Sequence, residues 1–408
     1  MTAKFQAPRG THDVLPADRL WWQLVRTIEE QAASYGWSRI QTPGFEDTGL
    51  FARTAGEASD VVNKEMYTFT DRGGRSLTLR PEGTAPIARA YVEHGLHREP
   101  QPVKAYTIAP MYRYGRPGRG RYREHWQLSL EAIGVPGPDI DAEVIDFYAE
   151  LLARVGVTEW ELHLNSIGDA RCRPGYVEQL DAWLDSHDDV LDEEARHKRA
   201  TSPLQVFDVK NTELRAALED APKITDFLCA ECQQHFDGLR LLLDAAGVPY
   251  VLDPRLVRGL DYYTRTAFEF IGPEENVNST ICGGGRYDSL VEAVGGPPTP
   301  GVGFGAGLER LRLAIEREHV QGEAPKLDVF VAVEPGVSPF PWLRALRRAG
   351  FSADTDFARR SLKGQLTQAR KVASRVVTLG PDGTATLRVP GAADRRVDLE
   401  GLLRELGS

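Results

Sequence analysis

The chain has 408 residues, of which 41% are apolar and 26% charged, with 39 glycines and 26 prolines. This composition predicts a soluble globular protein of two domains and excludes a disordered chain, a collagen-like fibre and a coiled-coil rod. No stretch approaches the roughly eighteen uninterrupted apolar residues of a membrane helix, and no apolar segment of a secretory signal follows Lys4. Four cysteines are too few for a disulfide framework, so the expected location is a reducing cytoplasm.

Charge is distributed unevenly along the chain. The net charge is −10, yet residues 326–408 hold 14 Lys and Arg against 9 Asp and Glu. A basic terminal module on an acidic body indicates a local contact with a polyanion. Ordinary surface variation explains an excess of this size equally well, so composition alone leaves both interpretations open.

The first 165 residues alternate helical and strand patterns. Apolar residues at helical spacing predict a helix over 16–35 that ends at Gly36. Alternation on both sides of an Asp-Arg-Gly-Gly break predicts a β-hairpin over 66–80. A continuous apolar face predicts a further helix over 139–155, with Asp139 as its N-cap.

The next segment differs in character. Residues 166–250 are polar and show little strand alternation, which predicts a helical insertion at about 170–245. Strand patterns return at 265–271 and near 301–306, and a helical pattern follows through 307–318. The polar stretch 316–326 is the best candidate for an interdomain linker.

A small α/β domain is predicted after this linker. LDVFVAV at 327–333 is a continuous apolar run of the kind found in buried parallel strands. Helix, strand, helix and strand patterns follow in that order, at 341–349, 352–355, 362–373 and 375–379. This β-α-β-α-β order predicts a parallel sheet covered by helices.

Four short segments carry the residue types of a binding site. They are PRGTHDVLP at 8–16, TLRPEGTAP at 78–86, MYRYGRPGRGRYREHWQLSLEAIG at 111–134 and GVGFGAGLERL at 301–311. The second presents Glu82 and Thr84 beside a glycine at a strand end. The fourth is a glycine-rich strand that leads into a helix carrying Arg310. It matches neither a dinucleotide-binding GxGxxG motif nor a phosphate-binding loop that ends in Lys-Ser or Lys-Thr.

The segment at 111–134 is rich in arginine. It contains Arg113, Arg116, Arg119, Arg121 and Arg123. Planar guanidinium groups suit phosphate, and the following strand places Gln127, Ser129 and Glu131 on one face. Such a face can present an amide, a hydroxyl and a carboxylate to a small polar ligand. A solvated basic hairpin with an ordinary polar strand face is an equal alternative for this segment taken alone.

The cysteines could also form a metal site, but the sequence supports this hypothesis less strongly. Cys229 and Cys232 form a CxxC motif, and Cys172, His197 and His235 lie in the same helical segment. These residues could supply four zinc ligands. No second CxxC motif is present, however, and the other spacings are irregular, so we expect no metal.

Four further isolated residues are assigned to ordinary structural roles. Cys282 lies beside the GGGRYD segment with no catalytic base nearby, so we expect it to be a small packing residue. His94, His97 and His125 occur singly in polar surroundings, so we expect all three at the surface.

Read together, these segments resemble a known family. Residues 78–90, 111–131 and 301–311 are similar to motifs of the class II aminoacyl-tRNA synthetases. LVRGLDYYTRTAFEF at 256–270 and GGGRYDSLVEAVGG at 283–296 resemble two signatures of the bacterial type of the histidyl-tRNA synthetase family, and PRGTHDVLP resembles its usual opening. The resemblance covers essentially the whole chain.

The resemblance implies both the fold and the domain boundaries. The fold would be α+β, with an antiparallel-sheet catalytic domain of the class II synthetase type over 1–325 that carries the helical insertion. An α/β anticodon-binding domain would follow over 326–408. The first motif of the family would form a homodimer interface around residues 37–60, including Pro43.

The resemblance also implies roles for individual residues. Those that resemble ligands of the histidine substrate are Glu82, Thr84, Gln127, Glu131, Tyr262 and Tyr263, of which Glu131 and the two tyrosines would recognise the imidazole. Those that resemble ligands of ATP are Arg113, Arg121 and Arg310. Arg113 and Arg258 would be catalytic at the α-phosphate, and no carboxylate partner of Arg258 is evident in the sequence. Arg116 and Arg119 would contact the acceptor end of tRNA.

The implied reaction is the ligation of histidine to tRNA(His). Histidine would be activated by ATP with magnesium and then transferred to the 3′ end of the tRNA. One alternative is a regulatory paralogue that serves ATP phosphoribosyltransferase and does not charge tRNA. A second alternative, a free-standing adenylate-forming enzyme, is disfavoured by the basic α/β tail.

Overall fold

The computed structural model describes residues 5–55, 61–209, 211–260, 262–272, 280–318 and 326–407. The helices are α1 (Arg19–Ser34), α2 (Thr48–Ala55), α3 (Thr84–Glu93), α4 (Pro138–Arg154), α5 (Arg173–Asp185), α6 (Glu193–Thr201), α7 (Thr212–Ala217), α8 (Ala230–Ala246), α9 (Leu290–Ala293), α10 (Leu308–Arg317), α11 (Phe340–Arg348), α12 (Leu362–Val372) and α13 (Leu399–Gly407). The strands are β1 (Ser38–Arg39), β2 (Phe45–Asp47), β3 (Tyr67–Thr70), β4 (Ser76–Leu79), β5 (Val103–Tyr112), β6 (Glu124–Ile133), β7 (Glu161–Ser166), β8 (Val251–Leu252), β9 (Thr264–Ile271), β10 (Thr280–Arg286), β11 (Gly301–Gly307), β12 (Leu327–Val333), β13 (Ala353–Thr355), β14 (Ala373–Leu379), β15 (Ala385–Arg388) and β16 (Arg395–Arg396).

The chain forms two compact units, Met1–Gln321 and Gly322–Ser408. The linker predicted at 316–326 and the interface segment predicted at 37–60 each lie partly outside the described residues. Among the described residues, no helix has the length and apolar character needed to span a lipid bilayer.

An eight-stranded sheet is the framework of the first unit. Its strand order is β1-β5-β6-β11-β10-β9-β7-β8. The six central strands pair antiparallel, whereas β1 and β8 add to the two edges in parallel. This arrangement confirms the predicted antiparallel α+β fold, and it places the glycine-rich strand β11 between β6 and the second glycine-rich strand, β10. The predicted hairpin is also present as β3 and β4, in a separate small sheet with β2.

Two helices that cover this sheet begin at different kinds of cap. The Asp18 Oδ1 atom accepts a hydrogen bond of 3.2 Å from the Trp21 amide, which caps α1. Asp139 was expected to cap α4, but Gly137 is the cap residue and Pro138 is the first helical residue. Proline is favoured at the first helical position because its fixed φ already suits a helix. Asp139 therefore lies in the first turn, where its negative charge complements the helix dipole.

The insertion is helical, as predicted. Between β7 and β8 the described residues form α5, α6, α7 and α8, joined by short 3₁₀ turns and without a strand. The helices pack on an apolar core that includes Tyr176, Leu180, Leu184 and Leu214. The insertion therefore leaves the sheet after β7 and returns to it through α8.

The second unit is the predicted α/β domain. Strands β13, β12 and β14 lie side by side and parallel, and Val329, Val331 and Val377 fill the core beside Leu343. Strands β15 and β16 extend this sheet antiparallel from β14, and α13 ends the chain; these three elements were not predicted. Strands β15 and β16 are short, and their patterns are too weak to separate them from a loop, whereas α13 is an amphipathic helix of the same length as α11 and was overlooked in the sequence.

A buried ionic network joins four elements of the first unit. Asp141 and Arg286 are both fully buried and form an ion pair between α4 and β10. Asp141 Oδ2 also accepts from Thr266 Oγ1 at 2.6 Å and lies 2.8 Å from His235 Nε2. Burial alone would raise the pKa of Asp141, but Arg286 and His235 hold it below its ordinary value. The network therefore depends on a charged Asp141.

We predict that Asp141→Ala lowers the free energy of unfolding by about 3–5 kcal/mol, because it removes the fully buried partner of the Arg286 charge and leaves only the partly exposed Asp288, 3.2 Å away. Asp139→Asn is the matched control, since Asp139 is exposed on the same helix and contributes at most about 1 kcal/mol through the helix dipole. Urea unfolding followed by tryptophan fluorescence measures both variants. Equal stability of Asp141→Ala and the parent would show that the network is not needed for the fold.

Candidate active site

A cavity of about 330 Å³ opens where β6, β11 and β10 lie side by side. The lining includes nine of the residues that were given a binding or catalytic role from the sequence: Glu82, Thr84, Arg113, Arg121, Gln127, Arg258, Tyr262, Tyr263 and Arg310. Glu131 lies next to it, beneath Thr84. Arg116 and Arg119 are exposed and are not among the lining residues. Segments far apart in the sequence therefore meet at one place.

Glu82 and Thr84 are held at the start of α3. Both carboxylate oxygens of Glu82 accept backbone hydrogen bonds, from the Thr84 amide at 2.6 Å and the Ala85 amide at 2.9 Å. These are amides that the first turn of a helix leaves without intrahelical partners, so Glu82 caps the helix as well as lining the cavity. Burial raises the pKa of Glu82, although these two bonds oppose the shift.

Glu131 is fully buried on β6, and two hydroxyl groups donate to it. Thr84 Oγ1 donates to Oε1 at 2.7 Å, and the Tyr287 hydroxyl donates to Oε2 at 2.6 Å. Burial raises the pKa of Glu131 to about 8, although both hydrogen bonds favour the ionised form. Tyr287 was not assigned a role from the sequence, although it lies in the GGGRYD string that carries the resemblance.

Two glycines make room for the Glu131 carboxyl group and for the guanidinium group of Arg258. A Cβ atom on Gly303 of β11 would overlap the Glu131 carboxylate, and one on Gly283 of β10 would overlap the Arg258 guanidinium. Glycine at these positions permits the close approach, because any larger residue would push the charged side chain out of place. The glycine-rich strand pattern therefore reflects space for side chains from neighbouring segments.

Arginine side chains form one wall of the cavity. Arg113 Nε donates to the Pro81 carbonyl at 2.7 Å, and Arg310 donates to the carbonyls of Gly120 at 3.2 Å and Thr280 at 2.6 Å. Each bond uses only part of a guanidinium group that has five N–H donors. The backbone therefore orients both arginines, and on Arg113 it leaves donors for a ligand.

Arg258 has a carboxylate partner, contrary to the expectation from the sequence. It forms an ion pair with Glu269 of β9, and Thr280 Oγ1 donates to the same carboxylate at 3.2 Å. The pairing arises because the segment before β9 folds back across the sheet, which sequence spacing does not reveal. Glu269 therefore positions Arg258 at the cavity.

His125 lines the cavity, so its assignment to the surface was wrong. It belongs to β6 and lies near the strand residue Gln127, whose Nε2 donates to Ser129 Oγ at 2.9 Å. Burial and the positive charges of Arg113 and Arg310 lower the pKa of His125 to about 3. The imidazole is therefore neutral at physiological pH. His94 and His97 are exposed, as expected.

Two glutamates that the sequence did not single out also line the cavity. Glu65 accepts from Arg121 at 3.0 Å. Glu309 accepts from the Trp126 amide at 2.9 Å through Oε1, while its Oε2 is buried without a hydrogen-bond partner among the described residues. Burial raises the pKa of Glu309 to about 7. Together with Glu82 and the arginines, these groups suit a ligand that carries both negative and positive charges.

This sheet and cavity define a catalytic domain of the class II aminoacyl-tRNA synthetase type. Residues 10–311 match the family model of histidyl-tRNA synthetase. The histidine–tRNA ligase of Caldanaerobacter subterraneus subsp. tengcongensis is 45% identical over 390 residues, which cover 94% of each chain. The chain belongs to the histidyl-tRNA synthetase family.

Solved structures agree with this assignment. Apo histidyl-tRNA synthetase of S. aureus is 35% identical, with a TM-score of 0.81 and coverage of 99% of this chain and 100% of that one. A protein of Bacillus halodurans described as an ATP phosphoribosyltransferase regulatory subunit/histidyl-tRNA synthetase has a TM-score of 0.65 at 22% identity, and covers 93% of this chain and 99% of its own. The second likeness shows a shared fold alone.

We predict that Glu131→Gln changes how stability depends on pH. A carboxyl group with a raised pKa stays protonated in the folded state while it ionises in the unfolded state, so its contribution to stability falls as pH rises from about 4.5 to 8. The difference in unfolding free energy between the parent and Glu131→Gln should therefore shift against the parent over this range, by at least about 1 kcal/mol.

Urea unfolding at a series of pH values measures this difference, and other titrating groups such as Glu309 cancel between the two proteins. A difference that is the same at every pH would contradict the raised pKa of Glu131.

Proposed function

We propose that the chain is a histidine–tRNA ligase, which activates L-histidine with ATP and transfers it to the 3′ end of tRNA(His). The observation that carries this proposal is the meeting of Glu82, Gln127, Tyr262 and the arginine wall in one cavity, in a chain of the histidyl-tRNA synthetase family. Class II aminoacyl-tRNA synthetases use ATP, so ATP would be the second substrate of this chain.

Histidine would bind at the end of the cavity near Glu82 and Thr84. The ammonium group of the amino acid would pair with the buried Glu82 carboxylate and thereby keep it ionised. Gln127 offers an amide to the substrate. Glu131, with Tyr262 and Tyr263, would recognise the imidazole, since a buried carboxyl group left unpaired by an isostere without the ring N–H is costly.

ATP would bind along the arginine wall. Arg113 and Arg258 would contact the α-phosphate, while Arg121 and Arg310 would contact the other phosphates. The donors that the backbone leaves free on Arg113 point to this use. Positive charge held in place before the reaction stabilises the negative charge that develops on phosphorus.

The chemistry needs no nucleophile from the protein. The histidine carboxylate attacks the α-phosphorus, the bond to the β-phosphate oxygen breaks, and pyrophosphate leaves. A terminal ribose hydroxyl of the tRNA then attacks the carbonyl carbon of the mixed anhydride, and AMP leaves. The protein contributes by holding the reactants in line and stabilising charge.

Magnesium would enter with ATP. Glu65 and Glu309 are the lining carboxylates available to it besides Glu82, and the buried Glu309 Oε2 without a partner among the described residues suits a hard cation. The ion would neutralise phosphate charge. Ionised Glu309 would be favoured beside it, although burial raises the pKa of this carboxyl group to about 7.

A regulatory paralogue is the competing proposal, and the cavity favours the ligase. A protein that does not activate histidine has no need for an arginine wall opposite a buried Glu82, and this chain retains Arg113, Arg258 and Arg310 there. The curated relative with 45% identity is also a ligase by name.

Three further assignments rest on the family rather than on the cavity. A homodimer would form around residues 37–60, where Phe45 on β2 contacts Phe69 on β3 and both are exposed. The exposed Arg116 and Arg119 would contact the phosphates of the tRNA acceptor end. Four free cysteines fit a cytoplasmic location.

The second unit would bind the anticodon. Exposed basic residues follow β13 and occupy α12: Arg359, Arg360, Lys363, Arg370 and Lys371. Phe357 is 72% exposed beside them. An exposed aromatic ring among cations suits single-stranded RNA, because unpaired bases stack on aromatic side chains while arginine and lysine contact phosphates.

We predict that Arg258→Ala lowers the rate of histidine-dependent pyrophosphate exchange about 10²- to 10³-fold, with a much smaller change in histidine affinity, because one charge stabiliser is lost. The matched control is Arg255→Ala, an arginine three residues earlier that pairs with Glu219 at the surface. Because Arg258→Ala leaves Glu269 unpaired, the double variant with Glu269→Gln is measured too. An unchanged exchange rate in folded Arg258→Ala would remove Arg258 from catalysis.

We predict that Phe357→Ala weakens tRNA(His) binding by about 1–3 kcal/mol through lost base stacking, while pyrophosphate exchange is unchanged. Phe340→Ala is the matched control, since Phe340 is 64% exposed in the same unit, away from the basic residues in sequence. Removing residues 326–408 should weaken tRNA binding further and reduce its dependence on salt. Equal tRNA affinity of Phe357→Ala and Phe340→Ala would reject Phe357 as a stacking platform.

A further inference from the structure

Four potential metal ligands lie together at the base of the helical insertion, away from the cavity described above. They are Asp169, Cys172, Cys229 and Cys232, and one ligand atom from each lies within 4.8 Å of all the others. Cys172 and Cys232 are buried, while Asp169 and Cys229 are partly exposed. An ion could therefore reach the cluster from one side.

The arrangement explains why the spacing of the cysteines in the sequence does not reveal the whole cluster. Cys229 and Cys232 form one pair with two intervening residues, and Asp169 and Cys172 form a second pair with the same spacing. A search for two CxxC motifs misses the second pair because aspartate occupies its first position. In the structure the two pairs face each other as the two halves of a four-ligand site.

Hydrogen bonds hold the ligand atoms of the cluster towards one another. The Cys229 amide donates to Cys172 Sγ at 3.1 Å, and Cys172 Sγ lies 3.5 Å from Asp169 Oδ1. The other carboxylate oxygen of Asp169 accepts from Arg171 at 3.0 Å. Oδ1 of Asp169 thus faces the sulfur atoms, while the hydrogen bond from Arg171 to Oδ2 orients the carboxylate, as is usual for carboxylate ligands of metals.

The local charges also suit a metal thiolate site. Three thiolates and one carboxylate around a divalent ion carry a net charge of −2. Arg171 pairs with Asp169, and Arg265 lies 3.7 Å from the same carboxylate. These two cations offset the excess negative charge of the occupied site.

We propose that Asp169, Cys172, Cys229 and Cys232 bind a structural zinc ion. Three sulfur ligands and one oxygen favour a soft to borderline ion such as zinc over magnesium or calcium, which prefer oxygen ligands. Four protein ligands leave no open position, so the ion is structural rather than catalytic.

The ion would close the helical insertion. Asp169 and Cys172 lie between β7 and α5, where the insertion begins, and Cys229 and Cys232 lie at the start of α8, its last helix. Cys172 and Cys229 are 57 residues apart, so a shared metal ion would fix the two ends of a long loop. Such an ion stabilises the fold because it binds the assembled site and not the unfolded chain, so its binding free energy adds to the free energy of folding.

The same ion would support the histidine end of the cavity. The Arg265 amide donates to the Gly168 carbonyl at 2.7 Å, and the Ile167 amide donates to the Arg265 carbonyl at 2.7 Å. Arg265 follows Tyr262 and Tyr263 closely in the sequence, and Gly168 precedes Asp169. Loss of zinc should therefore weaken histidine binding as well as the insertion.

Metal analysis of the purified full-length chain tests this proposal. We expect about one zinc ion per chain, as for a single four-ligand site, and loss of zinc from Cys229→Ser, in which the partly exposed ligand is changed. Cys282→Ser is the matched control, because Cys282 is the one cysteine outside the cluster and should leave zinc content unchanged. A zinc chelator should lower the unfolding temperature of the parent and of Cys282→Ser, but not that of Cys229→Ser.

Cobalt(II) binding to the parent chain provides a second readout, which does not require any variant to fold. Added to the reduced, metal-free chain, it should give the absorption of a tetrahedral thiolate site and protect the partly exposed Cys229 from alkylation. Asp169→Cys should retain the metal and strengthen the thiolate absorption. A reduced chain that binds neither zinc nor cobalt, or a Cys229→Ser variant that keeps its full zinc content, would overturn the proposal.

Discussion

The close approach of β6, β11 and β10 is the constraint on which the site depends. These strands pair at the centre of the sheet, and glycine at 283 and 303 leaves the space that the Arg258 guanidinium and the Glu131 carboxylate occupy. Buried ionisable groups are tolerated there because each has a partner: Arg258 pairs with Glu269, and Glu131 accepts from Thr84 and Tyr287. The space that these two glycines leave between the strands thus determines where the Arg258 and Glu131 side chains can lie.

The electrostatics of the cavity follow from that arrangement. Burial raises the pKa values of Glu82, Glu131 and Glu309, whereas burial and neighbouring arginines lower that of His125. Perturbed pKa values that gather in one cavity are typical of functional sites. A ligand with an ammonium group and phosphates would complement these groups and return the carboxylates towards their ionised forms.

Long motifs predicted much of the fold and most of the cavity lining. The helical insertion, the parallel strands of the second unit, and Glu82, Gln127 and Arg310 could be located because each belongs to a strong local pattern or to a quoted string. The pairing of Arg258 with Glu269 could not be predicted, because it depends on how the loop between them turns rather than on their separation of 11 residues. The position of His125 at the cavity and of Asp169 opposite Cys229 and Cys232 could not be predicted either, because both depend on segments distant in sequence.

Amino-acid-dependent pyrophosphate exchange by the purified full-length chain, with ATP and magnesium, is the most direct test of this account. Histidine should support exchange, histidine analogues without a ring N–H should not, and the same protein should then charge a tRNA(His) transcript. A folded protein that binds histidine but neither exchanges pyrophosphate nor charges tRNA would contradict the account and favour a regulatory subunit.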